Sequence, residues 1–163
     1  MSAKTDNPNI IGIKHMAFAV RDAKVALAAY AKYLHVPENA EITHFPKSGN
    51  LVALFYLGGI EYQLCQSTEP DGRFASWINE RAAEGLHHIC YEVDDIDAAL
   101  AHAQSRGAEL RICQACGVYG SHAHPEGWVA FLDEEAGGIE IEFMQVYTSE
   151  QLAAYEKSGA DAV

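Results

Sequence analysis

Two histidines, His15 and His88, each open a segment of the same design: His-Met-Ala-Phe-Ala-Val over residues 15–20 and His-Ile-Cys-Tyr-Glu-Val over 88–93. Later in each half a second pair lines up without gaps, Gly58-Gly59-Ile60-Glu61-Tyr62-Gln63-Leu64 against Gly137-Gly138-Ile139-Glu140-Ile141-Glu142-Phe143. Side chains in a strand alternate between faces, so residues two apart share one. Alternation puts Met16, Phe18 and Val20, Ile60, Tyr62 and Leu64, and their second-half counterparts on an apolar face. His15, Glu61, Gln63, His88, Glu140 and Glu142 fall on the opposite one. Imidazoles with carboxylate or carboxamide oxygens suit a divalent first-row ion, Co, Ni, Mn, Zn or Fe(II), and the absence of thiolate argues against a structural zinc. A dication would also offset the cost of desolvating several carboxylates together. The repeat by itself leaves open whether Gln63 and Glu142 or Glu61 and Glu140 supply the oxygens. Alternation places His87 on the apolar side, with a structural hydrogen bond as its expected role.

The elements that must hold these residues follow from periodicity. Each first strand runs into an acidic turn and an alanine-rich helix. Leu27, Tyr30, Ala31 and Leu34 share one helical face in the first half, as do Ile96, Ala99, Leu100 and Ala103 in the second, with Asp22 and Asp94 or Asp95 as N-caps and Gly107 as C-cap. Asn50–Leu57 and Gly127–Leu132 read as strands entering hairpins whose turns carry the paired glycines. Each half is therefore a strand, a helix and two or three antiparallel strands, giving an α+β chain. The expected organisation is a first module over 10–68, a linking helix within 69–85, a second module over 86–146 and a helical tail over 147–163. Phe74, Trp77 and Ile78 mark one face of the linking helix, which is expected to end near Gly85. Thr148-Ser149-Glu150-Gln151 resembles a capping box.

Composition narrows the partners. A formal charge of −12 and scattered basic residues argue against nucleic acid. No apolar run is long enough to span a bilayer, and the start, MSAKTDNPN, lacks the apolar stretch of a secretory signal, so a cytoplasmic address without membrane association is expected. Four cysteines in such a chain are expected to be free thiols. Cys65 and Cys90 read as small residues lining the cleft. Cys113-x-x-Cys116 precedes His122 and His124 in a Gly-rich connector; the spacing matches no strong metal or redox motif, and a mobile loop with incidental thiols is the expectation, a second metal or redox site the alternative.

With these residues in place the sequence resembles, over about residues 10–146, the vicinal oxygen chelate superfamily of glyoxalases, bleomycin-resistance proteins, extradiol dioxygenases and epimerases. The resemblance implies two paired βαβββ modules forming a cupped mixed sheet around a metal, with His15, Gln63, His88 and Glu142 as ligands. The order His, Gln, His, Glu and the segment Gly85-Leu86-His87-His88-Ile89-Cys90-Tyr91-Glu92-Val93-Asp94-Asp95-Ile96 are most similar to the methylmalonyl-CoA epimerase branch. Those epimerases carry a glutamate as one of two acid/base groups where this chain reads Pro46-Lys47-Ser48-Gly49, placing Lys47 or Ser48 at that position.

The implied reaction is proton abstraction next to a carbonyl, with the metal stabilising the enolate. Glu142 and Lys47 are the candidate proton-transfer groups, with Glu61 and Glu140 weaker candidates beside Lys47 for the second role. Alternatives are a glyoxalase-type lyase, an Fe(II) extradiol-type dioxygenase using His15, His88 and Glu142, and a non-catalytic resistance protein that binds a small molecule. The expected partners are an acyl thioester or small carbonyl acid, with Lys14, Lys47, Arg73 and Arg111 available for thioester phosphates, and a second copy of the chain in a homodimer.

Overall fold

The computed structural model describes residues 9–37 and 40–160. The start of the chain, expected to lack the apolar stretch of a secretory signal, falls up to residue 8 outside the described residues. Among the described residues the order is β1 (Ile10–Ala19), α1 (Ala23–Leu34), β2 (Ile42–Phe45), β3 (Asn50–Leu57), β4 (Ile60–Ser67), α2 (Arg73–Arg81), β5 (Gly85–Val93), α3 (Ile96–Ser105), β6 (Leu110–Arg111), β7 (His122–Ala123), β8 (Gly127–Ala136), β9 (Ile139–Val146) and α4 (Ser149–Lys157). The fold is α+β. It divides into two compact units, Lys14–Ile89 and a second made of Cys90–Val163 with the N-terminal Met1–Ile13, so β1 and β5 each contribute to both.

In Lys14–Ile89, β2, β3 and β4 form an antiparallel meander and β4 pairs in parallel with β1. A core on one face joins Val20, Ala23, Leu27, Ala53, Phe55 and Leu64, with Phe18, Tyr30 and Tyr62 packed against it. The apolar face expected from alternation is this one. Leu34, expected on the buried face of α1, is instead 51% exposed, because Ala23, Ala26, Leu27 and Tyr30 form the buried stripe. On the opposite face Ala17, Ala19, Val52 and Cys65 pack against Phe74 and Ile78 of α2. The face that carries His15, Glu61 and Gln63 is therefore partly covered by the linking helix. The physical reason is size: alanine at 17 and 19, each 0% exposed, lets the helix approach the strands closely. α2 ends at Arg81 with Ala82 in the left-handed conformation as its C-cap, short of Gly85.

In the second unit β8 pairs antiparallel with β9, β6 and β7. Its core joins Val93, Ile96, Ala99, Leu100, Ala130, Leu132 and Phe143, using the predicted face of α3. β8 runs on to Ala136, beyond the predicted Leu132, with a shift of its register against β9 between Phe131 and Glu135.

Local signals set the boundaries. Asp22 and Asp95 accept from Val25 and Ala98 N–H as N-caps, while Asp94 binds Asn9 instead. The two hairpin turns carry Gly58-Gly59 and Gly137-Gly138, all at positive φ as a type I′ turn requires. Thr148 and Gln151 form the expected capping box. A longer-range repeat accompanies these: Gln66 Oε1 accepts from Ala23 N–H at the start of α1, and Gln145 Oε1 from Ile96 N–H at the start of α3. Ser67 caps α2 in the same way through Phe74 and Ala75 N–H.

Gly127 is fixed by contact, since a Cβ there would lie 2.3 Å from Gln145 O. Gly127→Ala is expected to destabilise the protein by roughly 1–3 kcal/mol, read as a lower urea midpoint; an unchanged midpoint would contradict the close β8–β9 approach.

Candidate metal centre

The parallel register of β1 and β4 sets His15 opposite Glu61, Ala17 opposite Gln63 and Ala19 opposite Cys65. In the same unit β5 brings His88 to His15. Their Nε2 atoms lie 3.3 Å apart, the rings meet edge to face, and the side chains are 5% and 6% exposed. Two ring nitrogens this close inside a protein cannot both carry protons without conflict, so at least one presents a lone pair.

His87 is fully buried against Phe74 and Trp77 of α2, with ring centroids 4.8 and 5.3 Å away. Its Nδ1 lies 2.8 Å from Nδ1 of His88. When neutral His88 offers its Nε2 lone pair, its proton resides on Nδ1 and is donated to His87. The hydrogen bond expected of His87 is present; the surface it packs on is α2.

Glu61 is a buried carboxylate with local partners. Tyr56 Oη donates to Oε2 at 2.8 Å, Gln63 Nε2 donates to Oε1 at 2.7 Å, and Lys14 Nζ stands 4.0 Å away. With the Gln63 amide nitrogen used in this way, Oε1 is the atom of that side chain whose lone pairs could accept a metal ion. Lys47 is exposed in the turn between β2 and β3.

In the second unit Glu142 lies opposite Phe131, and Glu140 opposite Glu135. Both Glu140 and Glu142 are buried. Arg111 donates through Nη1 to Glu140 and through Nη2 to Asp133 at 2.9 Å. On the face of Glu142, Cys90, Val129 and Met144 form a small core with Phe131.

The connector between α3 and β8 departs from the expectation of incidental thiols. Ligand atoms of Cys113, Cys116, His122 and His124 all lie within 4.8 Å of one another. Burial, aided by neighbouring His122 and opposed by the charge of Glu142, lowers the His124 pKa to about 4, so its ring is neutral. The sequence signal was present as a CxxC followed by an HxH, but nothing local shows that the two fold onto each other.

A family model for the Glyoxalase/Bleomycin resistance protein/Dioxygenase superfamily matches residues 14–120, and the chain belongs to that superfamily. Mitochondrial methylmalonyl-CoA epimerase of Bos taurus is 30% identical over 138 residues, 84% of this chain and 75% of the relative. Ethylmalonyl-CoA/methylmalonyl-CoA epimerase of Cereibacter sphaeroides is 30% identical over 135 residues, 82% of this chain and 97% of the relative. The crystal structure of methylmalonyl-CoA epimerase from Mycobacterium tuberculosis shares the fold at a TM-score of 0.63 and 23% identity, covering 94% of this chain and 97% of that one.

Tyr56→Phe removes a hydrogen bond to a buried carboxylate, but the tyrosine itself is 61% exposed. A loss of about 1 kcal/mol is expected, measured by urea unfolding; a stability gain would show that Glu61 does not depend on this donor.

Proposed function

We propose that this protein is a divalent-metal-dependent isomerase of the epimerase type, which removes and returns the proton on the carbon beside the carbonyl of an acyl thioester. The observation that carries the reading is the buried imidazole pair, His15 and His88, with Nε2 atoms facing each other at 3.3 Å. This pair fits one cation: adjacent nitrogen donors at about 2.0–2.1 Å from an ion stand at a similar separation. In this reading Gln63 and Glu142, which occupy equivalent places in the repeat, complete the ligand set. The competing acids, Glu61 and Glu140, already have strong local partners in Tyr56 and Gln63, and in Arg111. Two imidazoles, one amide oxygen and one carboxylate suit Co, Ni, Mn, Zn or Fe(II).

When bound, such an ion polarises a substrate carbonyl and lowers the cost of negative charge on its oxygen. The chain's own residues have separate tasks. His87 orients His88 and fixes its tautomer through the Nδ1 contact. Glu142, a buried carboxylate, is assigned to take up the proton as well as to ligate. Lys47 is the candidate for the opposite side of the carbon, since Lys47 or Ser48 takes the place where the epimerases of the resemblance carry a glutamate. The acyl-CoA class of substrate is suggested by the named activities of the 30% identical relatives. The absence of that acid from Pro46-Lys47-Ser48-Gly49 favours a second reading, glyoxalase-type isomerisation in which Glu142 alone moves the proton.

Methylmalonyl-CoA incubated in deuterated water with metal-loaded protein is expected to gain deuterium at its α-carbon. Inverted configuration supports the epimerase, exchange with retained configuration supports the one-base reading, and no exchange overturns both for this substrate. His88→Ala is expected to lose one equivalent of divalent ion relative to the parent protein, and undiminished metal content would sink the centre. His87→Phe keeps the packing against Phe74 and Trp77 yet should weaken metal binding about 10- to 100-fold, measured by competition with a chromophoric chelator.

A further inference from the structure

A second set of ligands lies in the connector between α3 and β8, chemically unlike the first. We propose that Cys113, Cys116, His122 and His124 form a structural zinc site that pins this connector against β8. The four groups converge with their ligand atoms all within 4.8 Å, and the individual separations are informative. His124 Nε2 stands 3.6 Å from Cys113 Sγ, 3.5 Å from Cys116 Sγ and 3.2 Å from His122 Nε2. One imidazole nitrogen has a single in-plane direction for its proton or lone pair, so it cannot hydrogen-bond three atoms at once. Donors at the corners of a tetrahedron do show such spacings. With zinc bonds of about 2.0–2.1 Å to nitrogen and about 2.3 Å to sulfur, tetrahedral edges come to about 3.3 Å between nitrogens and about 3.6 Å between nitrogen and sulfur.

The backbone holds both halves of the set. Gly117, at φ +67, donates to Cys113 O at 2.8 Å, and Cys113 N–H donates to Val118 O at 2.9 Å, closing a tight turn around the two cysteines. The cysteines carry no disulfide. On the other side β7 pairs His122 with Val129, and His124 N–H donates to Gly127 O at 2.8 Å. This extended stretch sends His122 and His124, two residues apart, to one face. The His122 ring is also set for ligation: its Nδ1 lies 2.9 Å from Gly120 O, and donating there leaves the Nε2 lone pair toward the cluster. Four protein ligands close the coordination sphere, which marks a structural site rather than a catalytic one, and two thiolates select zinc over the harder ions suited to a centre of imidazole and oxygen donors.

The connector needs such a device. Between β6 and β8 its regular structure is the two-residue β7, and zinc binding would convert four side-chain contacts into a fixed crosslink, releasing the thiol protons.

The test uses full-length His88→Ala protein, reduced and stripped of metal, so that the other centre does not contribute. Titration with cobalt(II) is expected to give thiolate-to-cobalt charge transfer and intense visible bands of tetrahedral cobalt, saturating at one equivalent and displaced by zinc. The same thiolate band should appear in the parent chain and be lost when Cys113→Ser and Cys116→Ser are added together. Absence of a sulfur-to-cobalt band in both His88→Ala and the parent overturns the proposal. So does a band that survives the double substitution Cys113→Ser with Cys116→Ser, or a Cys113–Cys116 disulfide in protein isolated under native reducing conditions.

Discussion

Two imidazole nitrogens, His15 Nε2 and His88 Nε2, face each other 3.3 Å apart in a buried setting, and much of Lys14–Ile89 is arranged to make that tolerable. Charging both rings would place like charges together away from water, so at least one ring must be neutral with its lone pair turned to the other. The parallel register of β1 and β4 puts His15 on the same face as Glu61 and Gln63. The small side chains at Ala17 and Ala19 admit α2, and α2 supplies Phe74 and Trp77 as walls for His87. His87 in turn holds the Nδ1 edge of His88. Orientation of one candidate ligand thus depends on a helix whose own start is capped by Ser67, at the end of the neighbouring strand.

The duplicated design is kept where geometry demands it and altered where charge has to be balanced. Gln66 and Gln145 cap equivalent helices by the same hydrogen bond. Glu61 and Glu140 are equivalent acids, yet the first is satisfied by a tyrosine and a carboxamide, the second by an arginine. Each solution meets the same requirement, that a buried carboxylate have donors on its oxygens. The covering of the face that carries the candidate ligands differs as well. α2 packs over it within Lys14–Ile89. In the second unit His122 and His124 lie near Phe131, which belongs to the small core on the face of Glu142.

The sequence by itself determined the α+β class, the duplicated strand and helix pattern, the hairpins at Gly58-Gly59 and Gly137-Gly138, the caps at Asp22 and Thr148, and the apolar faces that became the two main cores. These are set by contacts within a few residues or by strict alternation, which a linear string records directly. Through the repeat it also marked His15, Glu61, Gln63, His88, Glu140 and Glu142 as candidate ligands, from which the family resemblance selects His15, Gln63, His88 and Glu142. Tertiary structure decided the rest: that α2 covers the face beside His15, that Leu34 is exposed, that His87 leans on Trp77 and steadies His88, and that Arg111 is consumed by Glu140 and Asp133. It alone folded Cys113 and Cys116 onto His122 and His124. Each of these outcomes depends on segments remote in the chain closing on one another, and the distances that make a ligand set or an ion pair arise only after the backbone has turned and packed.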